Sequence, residues 1–487
     1  MNYRFIFNLI GKVLKAEGLL LLLPTLVSAL YWEKAFFYLG GSAVVIFLIG
    51  TLLTCLCRHH SGYFFAKEGF ISVALTWVAI SVFGALPFAI SGEIPNYIDA
   101  LFEMVSGFTT TGASIVPNVE KLSNGMNMWR CFSHWVGGMG IIVFVIALSD
   151  RVPDQSMYVL RAEMPGPIVG KLVPRAKQTS AILYIIYIAM TVIMFVFLLC
   201  GGEMNLFEAA CHSFGTAGTG GFGIKADCLA GYGAYSQWVI AVFMMLFGIN
   251  FNLYYLVLIG KIKNFFKSSE MWAYVSIIVC STALISWNTL SMCANFSEAV
   301  RNAFVQVTSI ITTTGFSSLN YDLWPTLSKA ILFILMFIGG CAGSTAGGFK
   351  VSRLVIVFKK IVNDLKQMLH PRTKTALMFE GKRLDDQTVN GVCSYSIVYF
   401  LLIGIMFLLL CLDPATANMN GALESNLSAV VSCFNNVGPA FGFAGPSSSY
   451  ANYSIFSKII LTLAMLLGRL EIYPMLLFLT PTTWLKK

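Results

Sequence analysis

Thr312-Thr313-Thr314-Gly315-Phe316 decides how this chain reads, because a close relative of it occurs three more times. The others are Thr109-Thr110-Thr111-Gly112-Ala113, Gly218-Thr219-Gly220-Gly221-Phe222 and Asn435-Asn436-Val437-Gly438-Pro439. Each follows a short amphipathic segment and precedes a long apolar one. Four degenerate copies of one polar loop predict four walls around one axis. A cation leaving water must have its hydration oxygens replaced, and rings of backbone carbonyls do this without carrying charge. Glycine reaches backbone angles that a residue with a Cβ avoids, which lets successive carbonyls turn toward the same axis. The neighbouring Thr110, Thr111, Thr219, Thr313, Thr314 and Asn436 add side-chain oxygens.

Composition sets the medium around that axis. Over 487 residues, 57% are hydrophobic and only 11% are charged, and the mean hydropathy is +0.75. That combination predicts a polytopic membrane protein. The formal charge of +9 does not imply a nucleic-acid partner, because Lys and Arg fall in loops between apolar runs, as topology requires. The 12 cysteines are scattered singly, without metal spacing or a disulfide pattern, and read as small buried apolar residues. Lys12 and Lys15 precede an apolar stretch without a clear small-residue cleavage site, so the first segment reads as a retained helix.

Working outward from the loops, residues 5–31 and 36–57 are each long enough to span and form a hairpin, the first unit, 1–68. One pattern then recurs: spanning helix, short pore helix, Gly loop, second spanning helix. The repeats are placed at 69–178, 179–269, 270–389 and 390–487. The second helices are expected over residues 128–148, 238–260, 330–358 and 455–479. The fold class is therefore an all-α polytopic membrane protein, with four pseudo-symmetric repeats around one pore after a two-helix hairpin. Six positions before the four glycines stand Ser106, Gly215, Ser309 and Ser432, small enough for close packing. Thirteen before stand Asp99, Glu208, Asn302 and Ser425, expected near pore-helix N-termini. The opposite, negative helix ends then face the axis and favour a cation. Basic residues crowd the connections at 58–67, 151–177, 261–267 and 350–383, so the Gly loops are expected outside and these connections in the cytoplasm.

The second helix of the third repeat carries Gly339-Gly340-Cys341-Ala342-Gly343-Ser344-Thr345-Ala346-Gly347-Gly348. Irregular backbone at membrane depth is tolerated where it lines a cavity or is buried in protein. The run predicts a loop beneath the Gly loops that obstructs the path; a kinked, small-residue helix is the plainer alternative. It has no phosphate-cradle spacing, and the chain offers no nucleophile elbow or H-E-x-x-H helix, so nothing points to an enzyme. Arg469, in the last spanning helix, is expected to face the bundle interior as a positive barrier. Glu471, two positions away, does not share its helix face. Lys350 and Arg353 suit either the inner mouth or positive-inside bias. His134 and His212 are lone imidazoles, better read as structural hydrogen-bonding groups than as metal ligands.

Together, these four units, the run 339–348, Trp135-Val136-Gly137-Gly138-Met139-Gly140 and Asn435-Asn436-Val437-Gly438-Pro439 resemble the Trk/Ktr/HKT superfamily. The extra hairpin is similar to that of its TrkH-type bacterial subunit. The resemblance implies a potassium-uptake pore in a bacterial inner membrane, usually a homodimer, with filter glycines at Gly112, Gly221, Gly315 and Gly438. K⁺ is then expected at Thr111, Gly112, Gly220, Gly221, Thr314, Gly315, Val437 and Gly438. The resemblance also implies a gate built from residues 339–348 with Lys350 and Arg469. A cytosolic TrkA-type subunit that binds NAD or ATP is implied as regulator; this chain carries no cofactor of its own.

Two departures stand out: either Gly220 or Gly221 fits the second loop, with Phe222 favouring Gly221, and the fourth loop has Pro439 and no Thr. Such an asymmetric filter predicts some permeation by Rb⁺ or Na⁺. Two rivals to a channel remain at this stage, a K⁺/H⁺ or K⁺/Na⁺ symporter using the broken helix, and a scaffold with a closed pore.

Overall fold

The computed structural model describes residues 2–58, 66–140, 176–371, 376–417 and 419–484. Helices dominate, and the described strands form one two-stranded hairpin, Met378–Phe379 against Lys382–Arg383. Among the described residues, six helices are long and apolar enough to span a membrane. Two are the expected initial hairpin, Tyr3–Leu30 and Ala35–Leu56. The other four are the first helices of the repeats, Lys67–Ser91, Gln178–Cys200, Ser269–Met292 and Asp386–Cys411. Their outward residues, such as Ile185, Val279 and Ile397, are exposed and apolar, as a lipid-facing surface requires.

Two of the second helices depart from expectation. Among the described residues, the second, third and fourth lose helical geometry partway. The first is described as Asn124–Gly138, and its expected continuation to residue 148 lies outside the described residues, as do residues 59–65 and 151–175 of the expected basic connections. The second is not continuous over 238–260: Ala234–Phe247 and Phe251–Leu258 meet at 90°. Gly248 and Asn250 make that corner; the Asn250 side chain caps the new helix through the Asn252 N–H at 2.9 Å. The third breaks over residues 339–350, between Thr326–Ile338 and Val351–Leu369, as expected. The fourth is not continuous over 455–479: it stops at Arg469 and resumes as Tyr473–Leu479, with Glu471 and Ile472 at φ 53° and 44°.

Between each pair lies a short pore helix: Tyr97–Phe108, Leu206–Gly218, Phe296–Ile311 and Ala422–Asn435. The first two starts follow cap chemistry. Asn96 accepts from the Ile98 N–H, and Asn205 with Glu208 forms a capping box. Asp99 lies in the first turn but also pairs with Lys458 of the fourth repeat at 2.8 Å. Asn302 is not near an N-terminus; it sits mid-helix and buried, because the third pore helix begins at Phe296.

The initial hairpin packs its helices at Gly11 and Gly50, where a Cβ on Gly50 would stand 2.7 Å from the Gly11 carbonyl. Its turn is tied to the first repeat, since the Glu33 carboxylate accepts the Asn124 and Gly125 N–H groups at 2.7 and 3.0 Å. That places a carboxylate on a helix N-terminus, the favourable end for it. Gly50→Leu is expected to cost about 1–3 kcal/mol by overpacking. A lowered melting temperature in detergent, with Gly41→Leu as the exposed control, checks this.

Candidate functional site

The four Gly loops share one backbone solution. In each, the residue two before the glycine is left-handed: Thr110, Thr219, Thr313 and Asn436 have φ of 56°, 55°, 56° and 58°. The glycines Gly112, Gly221, Gly315 and Gly438 are positive as well, at 79°, 76°, 85° and 101°. The same two hydrogen bonds close each pore helix. The N–H of Thr111 bonds to Ser106 O at 2.9 Å and that of Thr110 to Gly107 O at 3.2 Å. In the other three loops Gly220, Thr314 and Val437 bond to the carbonyls of Gly215, Ser309 and Ser432 at 2.9, 2.8 and 2.9 Å. This six-to-one closure with a left-handed residue is the Schellman helix end. It fixes the register of the second loop on Gly221, with Gly220 in the position of Thr314.

A left-handed β-branched residue is strained by about 1–3 kcal/mol and persists only where the surroundings hold it. Here the hydroxyls are engaged. Thr313 Oγ1 accepts the Gly347 N–H of the interrupting loop at 2.6 Å. Thr110 Oγ1 accepts from Arg469 at 3.1 Å. Asn436 Nδ2 donates to Thr111 Oγ1 at 2.9 Å and to Met465 O at 3.0 Å. Glycine would relieve the strain and lose these contacts.

The loops abut in cyclic order. A Cβ on Gly112 would strike the Gly220 carbonyl oxygen, one on Gly221 that of Thr314, one on Gly315 that of Val437, and one on Gly438 that of Thr111. Each glycine thus seats against the carbonyl just before the next repeat's glycine, and the ring closes after four steps. Four pore-helix C-termini, each carrying partial negative charge, converge on it. On one side lies a vestibule lined by Gly112, Gly221, Gly315, Pro439 and Arg130.

On the other side lies a smaller cavity lined by Gly138, Gly343, Ser344, Gly347, Gly348, Lys350 and Arg469. Residues 339–350 form no helix and cross beneath the ring, with Gly347 packed 2.7 Å, at its would-be Cβ, from Asn435 O. Gly339 packs back on Gly348, and Gly340 faces the Gly248 carbonyl. The Thr345 carbonyl accepts from Arg469 at 2.9 Å, and the same guanidinium donates to Gly137 O and Gly138 O at 2.6 Å each. A helix C-terminus therefore solvates this charge. Lys350, at φ 80°, is buried and donates through Nζ to Ala346 O. Arg353 is buried too and pairs with Glu471, which does not serve Arg469.

His134 is pinned between repeats: Nδ1 meets Gly107 O at 2.7 Å and Nε2 accepts the Phe222 N–H at 3.2 Å. His212 meets Glu208 O at 2.8 Å and stacks on Phe316. Sequence reasoning missed the neighbouring ion pair, Arg130 with Glu103, at 2.8 Å and almost fully buried. Glu103 also accepts from Ser114 Oγ and the Ile115 N–H, each at 2.9 Å, while Arg130 lies 4.2 Å above the Phe222 ring. It braces the flanks of the first two loops. Hydroxyls do this for the others: Ser309 donates to Phe316 O at 2.5 Å in the third loop, and Ser432 and Tyr450 each donate to Gly438 O at 2.8 Å in the fourth.

A ring of uncharged oxygens at the centre of a spanning helical bundle defines a cation transport protein. The family model described as TrkH, cation transport protein, matches residues 41–279 and 271–484, and the chain belongs to that family. It is a multi-pass membrane protein and not an enzyme. The chain is 32% identical to the Trk system potassium uptake protein TrkH of Escherichia coli K12, across 99% of this chain and 100% of that protein. It is 30% identical to TrkG of the same organism, across 99% of each. A crystal structure of the potassium transporter TrkH from Vibrio parahaemolyticus superposes with a TM-score of 0.88 over 100% of both chains, at 30% identity.

Glu103→Gln leaves Arg130 charged and buried, and is expected to destabilise by about 3–5 kcal/mol. Thermal unfolding in detergent checks it: the double variant Glu103→Gln/Arg130→Met should recover at least half of the lost melting temperature.

Proposed function

We propose that this protein carries K⁺ into a bacterial cell across the inner membrane, passively, through the ring of Gly loops. The observation that carries the reading is the cyclic seating of each glycine on the next repeat's carbonyl. That seating supports a ring built from the carbonyls of Thr111, Gly220, Thr314 and Val437, none of them an acidic residue. Neutral oxygens bind K⁺ strongly enough to dehydrate it and weakly enough to release it. The printed names of the potassium uptake relatives support the choice of ion. The four loops differ in side chain, which supports incomplete rejection of Rb⁺ and Na⁺.

The vestibule side faces outward, as the distribution of basic residues favours. Beneath the ring, residues 339–348 act as the gate, and Arg469 places a positive charge beside the path. Opening requires the loop to leave Thr313 and Arg469. This chain works as a homodimer with a cytosolic nucleotide-binding regulatory subunit of the TrkA type, whose NAD or ATP is the only nucleotide involved.

The test is ⁸⁶Rb⁺ uptake into K⁺-loaded liposomes carrying the purified protein, with and without a proton gradient. Uptake driven by the K⁺ gradient alone, and abolished by Gly315→Asp, is expected; uptake that needs the proton gradient would make the protein a symporter. Arg469→Ala should raise uptake several-fold at equal protein level, and unchanged or lower uptake would count against its barrier role.

A further inference from the structure

The interrupting loop is held from the side opposite the ring by one carboxylate, whose helix end is in turn capped by a second. The hairpin of Met378–Phe379 and Lys382–Arg383 turns at Glu380 and Gly381, with φ of 49° and 72°. Two positive φ values in a two-residue turn set the strand twist and aim the turn outward from the strands. There the Glu380 carboxylate caps the helix Ser269–Thr289: Oε1 accepts from Ser268 Oγ and Ser269 Oγ at 3.1 Å each, and from the Glu270 N–H at 2.9 Å. A negative group on a helix N-terminus is favourable, and three donors converge on one oxygen.

The next residue continues the chain of contacts. Glu270 is 5% exposed, and its Oε1 accepts the Ala342 N–H of the interrupting loop at 2.7 Å. Five residues further on, the Gly347 N–H reaches Thr313 Oγ1 at 2.6 Å, in the ring itself. The hairpin is no loose flap. Leu377, Phe379 and Leu384 bury against Ile356, Val389 and Val392, and Lys359 Nζ bonds to Met378 O at 2.9 Å. One hydrogen-bonded line therefore runs from the hairpin turn, through a helix end and the loop, to the ring.

We propose that Glu270 and Glu380 are positioning residues that latch the loop shut, so that displacement of the hairpin from the helix end releases it. The inference rests on the gate reading of residues 339–348. The hairpin lies in the connection with dense Lys and Arg, on the proposed cytoplasmic side, where a regulatory partner has access to it. A carboxylate suits the role because a charged acceptor holds an amide about twice as strongly as a neutral one, yet a single hydrogen bond remains breakable.

The test compares Glu270→Gln, Glu270→Ala, Glu380→Ala and the double alanine variant with a variant lacking residues 343–346. Two readouts are taken on the full chain in liposomes: ⁸⁶Rb⁺ uptake, and labelling of Cys341 by a membrane-impermeant thiol reagent in a background keeping it as the sole cysteine. Cys341 is 1% exposed in the latched loop. The latch predicts faster uptake and labelling, by about tenfold for Glu270→Ala, the loss of one charge-assisted hydrogen bond. Glu270→Gln, nearly isosteric and still an acceptor, should fall between wild type and alanine. The double variant should not exceed Glu270→Ala. If the loop-shortened variant speeds uptake while the carboxylate variants leave both readouts at wild type, the latch is wrong. If shortening leaves uptake unchanged, the gate reading fails, and labelling alone still decides whether the carboxylates hold the loop.

Discussion

Four glycine Cα atoms, each pressed against a carbonyl of the next repeat, leave no room for a side chain anywhere on the ring. Everything around them serves that contact. Each pore helix must end abruptly, which the Schellman closure achieves, and must do so at one height, which the common small residue six positions before each glycine permits. The strain of three left-handed threonines is retained because their hydroxyls sit where a glycine would offer nothing. Two of them reach down to Gly347 and Arg469. The geometry of the ring and the grip on the loop below it are therefore set by the same residues.

The repeats solve one problem with different chemistry. A buried ion pair and a neutral histidine brace the first two loops, whereas a serine hydroxyl braces the third and serine and tyrosine hydroxyls the fourth. The ring's symmetry lies in its backbone, and its asymmetry lies behind it. Below the ring the second helices of the last three repeats bend or break, and the described basic side chains there are solvated by backbone carbonyls or paired. Arg469 rests on the carbonyls that end Asn124–Gly138, and Arg353 on Glu471.

Much of this was legible in the residues. The recurrence of the Gly loops, the small positions before them and the five-glycine run gave the all-α repeat architecture and the broken third helix, because each depends on local backbone demands. In the second loop Phe222 favours Gly221 over Gly220, and the left-handed angle at Thr219 agrees with that register. The bends in the second and fourth repeats were hidden: Gly248-Ile249-Asn250 and Leu470-Glu471-Ile472 are brief, and both lie inside apolar runs that read as continuous. Glu103 looked like one polar residue of an amphipathic helix. Its partner lies 27 residues away in sequence and is fixed only by packing. Likewise Asp99 read as a helix-start residue, while its pairing with Lys458 depends on closure of the first repeat on the fourth.

The central claim is that the carbonyls of Thr111, Gly220, Thr314 and Val437 hold a dehydrated cation together. Anomalous diffraction from crystals grown in Rb⁺ measures this most directly. The account predicts a peak on the axis, shared by these four oxygens, that disappears in Gly315→Asp. An axis without a peak in wild-type crystals, or a peak bound instead by acidic side chains away from the ring, would contradict it.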